Sequence, residues 1–214
     1  MPTHPAIGDQ RPVWSFDEAA RPSLAADEAI ADVLGFLGRR YSVGPKHLAC
    51  PAPSADELQR AARVALRAPD HRQLHPFRFV RVSDARRARL ASLFAADAAQ
   101  RGHSAQEVER ARERACNGPA LLAVVAHVRG NVEDVPDHEQ WITVGAGVMN
   151  FLNALHLMGY GAKLLSGASV RSLEIASEFC LPGEQLVAWI VAGTPTRAAH
   201  PKSVEQLGMV LTDW

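Results

Sequence analysis

The chain has little of what would fasten it covalently or to a metal. Cys50, Cys116 and Cys180 are the only cysteines in 214 residues and fall in no CxxC or CxxH pairing. Neither a disulfide framework nor a zinc cage is expected, and the three read as reduced structural thiols. An excess of one charge is missing too, since 23 Lys+Arg stand against 23 Asp+Glu. Without a basic field there is nothing to draw a phosphate backbone, so the expected partner is a small molecule or another protein, with no nucleic acid. GxSxG, HExxH and P-loop patterns do not occur, and no GxGxxG follows the first strand candidate. Their absence removes the nucleophile elbow, the zincin helix and the doubly wound dinucleotide domain.

A secretory leader is not expected either. The first twenty residues, MPTHPAIGDQRPVWSFDEAA, carry prolines and acids where a leader has a basic start and an apolar run, which points to the cytoplasm. One long uncharged stretch does occur, from Gln140 to Ala162. Asn150, Asn153 and His156 lie near its middle, and Asp134, Asp137 and Glu139 flank it on one side, so a membrane span is not expected. It reads as a helix buried on several faces, at the centre of a domain or at an obligate subunit interface.

Hydrophobic residues make up 47% of the chain, enough for one ordinary core at this length. Residues 1–22, with four prolines and no periodicity, read as an N-terminal extension. A single domain is expected over 23–199 and a C-terminal tail over 200–214, a candidate for packing on a partner subunit. Ile30, Val33, Leu34 and Leu37 predict a helix from Asp27 to Arg40 with a basic last turn. Ser54 with Glu57, and Ser104 with Glu107, are capping boxes that open two more helices. Ala68 to Pro76, with a proline near each end, predicts a fixed loop. FRFVRV, ALLAVVAHV, Ala162–Leu165 and Gln185–Ala192 predict strands, the second buried on both faces. Helices are expected over 84–100, 104–115, 137–158 and 172–180, with loop and tail from Gly193 on. Such a mixture without a steady βαβ rhythm is an α+β class: a central, mostly antiparallel sheet flanked by helices.

Two arginines at one helix end and a third one helix later, in RRYS and RAPDH, are suited to gripping a phosphate by bidentate hydrogen bonds, though as helix-terminal charges they also suit the macrodipole. The wider pattern resembles the FMN-dependent nitroreductase family, and within it the YdjA-like branch. The residues that carry the resemblance are RR followed by Ser, PAPS with its helix into LRAPDHRQLHPFRFV, the EQ and GAGVMNFLNALHLMGYGAKLLSGAS stretch, and WIVAGTP. The resemblance implies a homodimeric α+β flavoprotein with a long buried interface helix. FMN binds between its subunits and NADH or NADPH alternates with a small-molecule electron acceptor over one flavin face. It further implies that Arg39, Arg40 and Ser42 hold the FMN phosphate. Arg67 and His71 contact the flavin, with Gln73 at the ring edge. Leu164, Leu165 and Ser166 pass the other side of the ring, with the Gly167 amide near N5. Arg197, with Lys202 as second choice, closes on the phosphate. The flavin performs the hydride chemistry, so no catalytic side chain is required.

This sequence departs from the branch pattern in places. The loop YSVGPKHLAC is longer, His75 and Phe77 stand where Gln and Trp are usual, and Leu165 replaces an arginine beside Ser166. Lys163, two residues earlier on the same strand face, is the candidate to compensate. Two rival readings remain: a flavin-binding protein without turnover, and a metal-dependent hydrolase built on His71, His75 and the acids Asp134, Asp137 and Glu139 with His138. The glycines of GAG and GYG are expected at close-packing and helix-end positions.

Overall fold

The computed structural model describes residues 24–198 and 210–212. The expected extension over 1–22, Lys202 and most of the expected tail lie outside that range. The chain divides into two compact units, residues 1–35 and 36–214. The described part of the first is helical and forms most of α1 (Leu24–Gly38). That helix ends two residues before the expected boundary, because Gly38 favours leaving the helical conformation. Arg39 and Arg40 therefore follow the helix and do not form its last turn.

In the second unit the strands are β1 (Leu48–Ala49), β2 (Phe77–Arg81), β3 (Ala120–Ala126), β4 (Gly161–Leu165) and β5 (Gln185–Pro195). Their helices are α2 (Ala55–Ala65), α3 (Asp84–Gln100), α4 (Ala105–Glu113), α5 (Asp137–Leu157) and α6 (Leu173–Ser177). All pairings between these strands are antiparallel. The order is β1-β5-β3-β2, with β4 also on β5. Both capping boxes form, with Ser54 on α2 and Ser104 on α4. Two expectations are corrected at the C-terminal side. The last strand continues past Ala192 because Gly193 pairs with Gly161, and Thr194 and Pro195 pair with Ala49 and Leu48. The helix expected over 172–180 is only the five residues of α6.

β3 is buried along its whole length, as its unbroken apolar run predicts. Leu122, Val124 and Ala126 face one core with Leu58 of α2 and Phe151 and Leu155 of α5. Leu121 and Ala123 face a second core with Leu90 and Phe94 of α3, Ile175 of α6, and Trp189 and Val191 of β5.

α5 lies close over the sheet because Gly147 has no side chain. A Cβ there would stand 2.4 Å from the Phe77 ring, which is itself buried and edge-on to Phe79 at 5.7 Å. Gly147→Ala should lower stability by about 1–3 kcal/mol through overpacking, even though alanine is the better helix former. A Cβ on Gly130 meets nothing within 4 Å, so Gly130→Ala should not destabilise. Urea midpoints check this, and equal midpoints for the two variants would refute the close approach. Gly159, at φ +87°, ends α5 in the left-handed conformation its position requires.

The buried carboxylate of Glu184 clamps the start of β2 to the turn before β5. Arg78 donates Nε–H to Oε1 at 2.7 Å and Nη2–H to Oε2 at 2.5 Å, and the Leu181 amide adds a bond at 2.7 Å. Hydrogen bonding from Arg78 holds the Glu184 carboxyl down to about 2, well below its ordinary value of 4.5. A carboxyl depressed in the folded state contributes stability above its unfolded pKa and loses that contribution as pH falls through the folded one. The native chain should therefore lose stability between pH 4.5 and about 2, and Glu184→Gln should flatten that limb of a urea-against-pH series.

Candidate functional site

Of the residues expected to bind a cofactor, Arg40 and Arg197, Arg67 and Gln73, and Leu165, Ser166 and Gly167 line three separate cavities of the single chain, whereas Arg39, Ser42, His71 and Leu164 line none of the three. The first, of about 210 Å³, lies where the exit of α1, the end of α5 and the end of β5 meet. Arg40 and Arg197 line it together, with Tyr41, His156 and Pro195. The Tyr41 hydroxyl donates to the Ala198 carbonyl at 3.3 Å, tying the segment after β5 to the exit of α1. His156 Nε2 lies 2.9 Å from the Phe36 carbonyl oxygen, with the two rings 4.5 Å apart. Among the described residues the lining contains two guanidiniums and no carboxylate, a donor set that suits an anion. Arg39 does not line it and instead lies over the Phe36 ring, 5.7 Å from its centroid. Ser42 bridges to Ala162 at the start of β4, which places it beside the cavity wall.

A second cavity, of about 480 Å³, lies at the end of α2 and is lined by Arg63, Arg67, Asp70, Gln73 and His75. The fixed loop expected between Ala68 and Pro76 owes its shape chiefly to Asp70, which no motif singled out. The Asp70 Oδ1 accepts the Leu74 amide at 3.1 Å and Oδ2 accepts the His75 amide at 2.8 Å. Arg72, Gln73 and His75 all have positive φ, at 60°, 53° and 49°. Each such non-glycine residue costs about 1–3 kcal/mol and persists only where the surroundings over-determine it. Three ties to the start of α5 add to the constraint. His71 Nδ1 lies 3.0 Å from Glu139 Oε2, Arg72 donates to Asp134 Oδ2 at 3.0 Å, and the Thr143 hydroxyl donates to the Pro69 carbonyl at 2.6 Å.

Asparagine in place of Asp70 offers one carbonyl oxygen to two amides and sets an N–H₂ against the other. Asp70→Asn should therefore cost about 1–3 kcal/mol, close to the cost of Asp70→Ala. Chemical denaturation checks this, and wild-type stability in both variants would remove Asp70 as the clamp. The same pairings bear on the metal reading, because His71 faces Glu139, His75 faces Asp70 at 3.3 Å, and Asp134 faces Arg72. Among the described residues no group of three or more His, Cys, Asp and Glu side chains is placed to hold a metal ion.

The third cavity, of about 380 Å³, is lined by Leu165, Ser166 and Gly167 among others. Leu164 points away from it and is 41% exposed. Lys163 shares the strand face of Leu165, as the alternation of β4 requires, but does not line the cavity.

Among the described residues no helix is long and apolar enough to cross a membrane. α5 is buried on one face only, through residues such as Thr143, Val144, Phe151 and Leu155. Trp141, Ile142, Met149 and Leu157 are exposed at 40%, 62%, 42% and 52%. Within one chain the helix is thus not covered on several faces.

The pattern model of the nitroreductase family matches residues 37–194. YdjA of Escherichia coli (strain K12), a candidate NAD(P)H nitroreductase, is 31% identical over 165 residues, covering 77% of this chain and 88% of its own. A candidate NAD(P)H nitroreductase of Haemophilus influenzae is 29% identical over 170 residues, covering 79% and 91%. Among solved structures, a nitroreductase-like protein from Bacillus cereus superposes with a TM-score of 0.71 at 18% identity, covering 85% of this chain and 95% of its own. A candidate nitroreductase in complex with FMN from Desulfovibrio desulfuricans gives 0.61 at 21% identity, covering 85% and 96%. With an α+β antiparallel sheet flanked by helices and a sequence match spanning all but the last residue of that sheet, the chain belongs to the nitroreductase family, on its YdjA-like branch.

Proposed function

We propose that this protein is an FMN-dependent NAD(P)H oxidoreductase acting as a homodimer. It passes hydride from NADH or NADPH through FMN to a nitroaromatic, a quinone or a similar small electrophile by a ping-pong cycle. The observation that carries the reading is the cavity in which Arg40 and Arg197 stand together, with no carboxylate among the described lining residues. A flavin phosphate is dianionic, and two guanidiniums facing one space provide the charge-assisted donors it needs. The residues present therefore fit the group. FMN bound there would supply the hydride chemistry, and the chain has only to bind, orient and exclude.

Arg40 and Arg197 would hold the phosphate, with Ser42 beside them and Arg39 adding charge from outside. Leu164 to Gly167 would pass one side of the ring. Arg67 would set a positive charge at the ring edge that gains negative charge on reduction, with His71 and Gln73 completing that side. Arg67 and Gln73 line a different cavity from Arg40 and Arg197. This separation supports a site assembled from two copies, one giving the phosphate set and its partner the edge set.

The surface of α5 supports the same arrangement. Ile142, Gly145, Met149 and Asn153 recur at helical spacing on one stripe, apolar except at its end. A second copy packed on this stripe would cover its apolar side chains.

Anaerobic addition of NADH or NADPH to the FMN-loaded protein should bleach the flavin, and a nitroaromatic or quinone should restore its colour and sustain turnover. A protein that binds FMN yet oxidises neither nicotinamide in the presence of these acceptors would be a flavin-binding protein without turnover.

A further inference from the structure

The third cavity extends well beyond Ser166 and Gly167. It lies against the second core, on the face of the sheet away from α2 and α5, and its floor is apolar. Phe94, Leu121, Trp189 and Val191 line it and are each at most 5% exposed. Leu165 adds an apolar wall. At the other side stands Arg114, in the 3₁₀ turn after α4, the one charged residue among the described residues of the lining.

Arg114 also lines an adjoining cavity of about 180 Å³ together with Arg101 and Arg110. Arg101 is committed elsewhere, to Asp97 at 2.8 Å and to the Ala168 carbonyl at 2.6 Å. Arg114 makes no ion pair and no side-chain hydrogen bond with another described residue. Asn117 and Ser169 complete the polar part of the lining, and Ser169 Oγ accepts the Trp189 indole N–H at 3.3 Å.

A deep apolar floor with one uncommitted guanidinium at its edge is suited to a ligand that is flat and apolar at one end and anionic at the other. An apolar cavity of about 150 Å³ is enough for benzene, so 380 Å³ accommodates a ring and its substituent. A planar fork of N–H donors matches a carboxylate bidentately. We propose that this cavity binds a small aromatic monocarboxylic acid, its ring over Leu165 and Trp189 and its carboxylate on Arg114. None of Arg40, Arg67 and Arg197 lines the space, so the proposal stands apart from the phosphate-binding reading. It touches that reading at Leu165, Ser166 and Gly167.

Isothermal titration of the full-length protein with benzoate tests the assignment, with benzamide as the uncharged analogue and acetate as the acid without a ring. Benzoate should bind saturably at one site per chain, and both analogues should bind at least about tenfold more weakly, benzamide for want of the charge-assisted hydrogen bonds and acetate for want of the ring's apolar burial. Arg114→Met should weaken benzoate by a similar factor, while Arg110→Met, in the neighbouring cavity, should leave it within about twofold. Arg114 is exposed, so its variant should melt with the wild type. No saturable heat with benzoate, equal binding of benzamide, or unchanged benzoate affinity in Arg114→Met would each overturn the proposal.

Discussion

Arg40→Ala should weaken FMN binding by about 10- to 150-fold, as expected for losing one charge-assisted contact to a dianion, worth about 1.5–3 kcal/mol. Arg197→Ala should do the same, and the double variant should take up no flavin at micromolar concentration. Arg39→Ala is the informative comparison. In sequence the two adjacent arginines are equivalent, but only Arg40 lines the cavity, whereas Arg39 lies over Phe36. Its loss should cost no more than about fivefold, the scale of one solvent-exposed charge interaction. Quenching of FMN fluorescence on titration reads all four variants. A larger loss in Arg39→Ala than in Arg40→Ala would move the phosphate out of this cavity.

Ile142→Asp should have the largest effect on assembly. Ile142 is 62% exposed in the single chain, so a carboxylate there does not disturb the fold of one copy. In an interface built on the α5 stripe it would be buried without a partner. Two-fold symmetry brings the cost twice, at about 2–5 kcal/mol for each unpaired charge. The variant should be monomeric at micromolar concentration and keep the far-ultraviolet circular dichroism of the folded chain, while melting lower than the wild type by the stabilisation that the dimer supplies. FMN affinity should fall with the dimer, by about a hundredfold or more, because each copy keeps only half the donors. A dimeric Ile142→Asp, or a monomer that binds FMN like the wild type, would exclude this surface as the place where the site is assembled.

Much of the fold was legible from local signals. The two Ser–x–x–Glu capping boxes, the unbroken apolar run of β3 and the uncharged run of α5 each correspond to the expected element. What escaped was set by pairing between distant residues. β1 is two residues long, too short for any periodicity, and exists because Leu48 and Ala49 meet Pro195 and Thr194. The same contacts, with Gly161 opposite Gly193, extend β5 through a Gly-Thr-Pro sequence that by itself reads as a turn.

α5 shows what composition leaves open about geometry. An absence of charge suggested a domain centre or a subunit interface, and one chain covers one face and leaves Trp141, Ile142 and Met149 to solvent. Side chains of a subunit interface look the same in sequence as core residues.

The candidate residues were legible mainly through resemblance, since nothing local relates Arg40 to Arg197 across the length of the domain. The cavity they share follows from the end of α1 lying beside the end of β5, which the Tyr41 to Ala198 hydrogen bond fixes. Asp70 had a local signal that went unused. An aspartate opening a loop commonly accepts backbone amides a few residues on, and here it accepts those of Leu74 and His75.

The central claim is that one flavin site is completed by two chains. Sedimentation velocity of the FMN-supplemented protein, recorded both at the protein absorbance and at the visible band of the flavin, tests it most directly. The account predicts that the flavin signal moves with a dimer boundary at one FMN per chain, and that the released chromophore is FMN. Flavin that remains unsedimented, or that travels with a monomer at full occupancy, would contradict it.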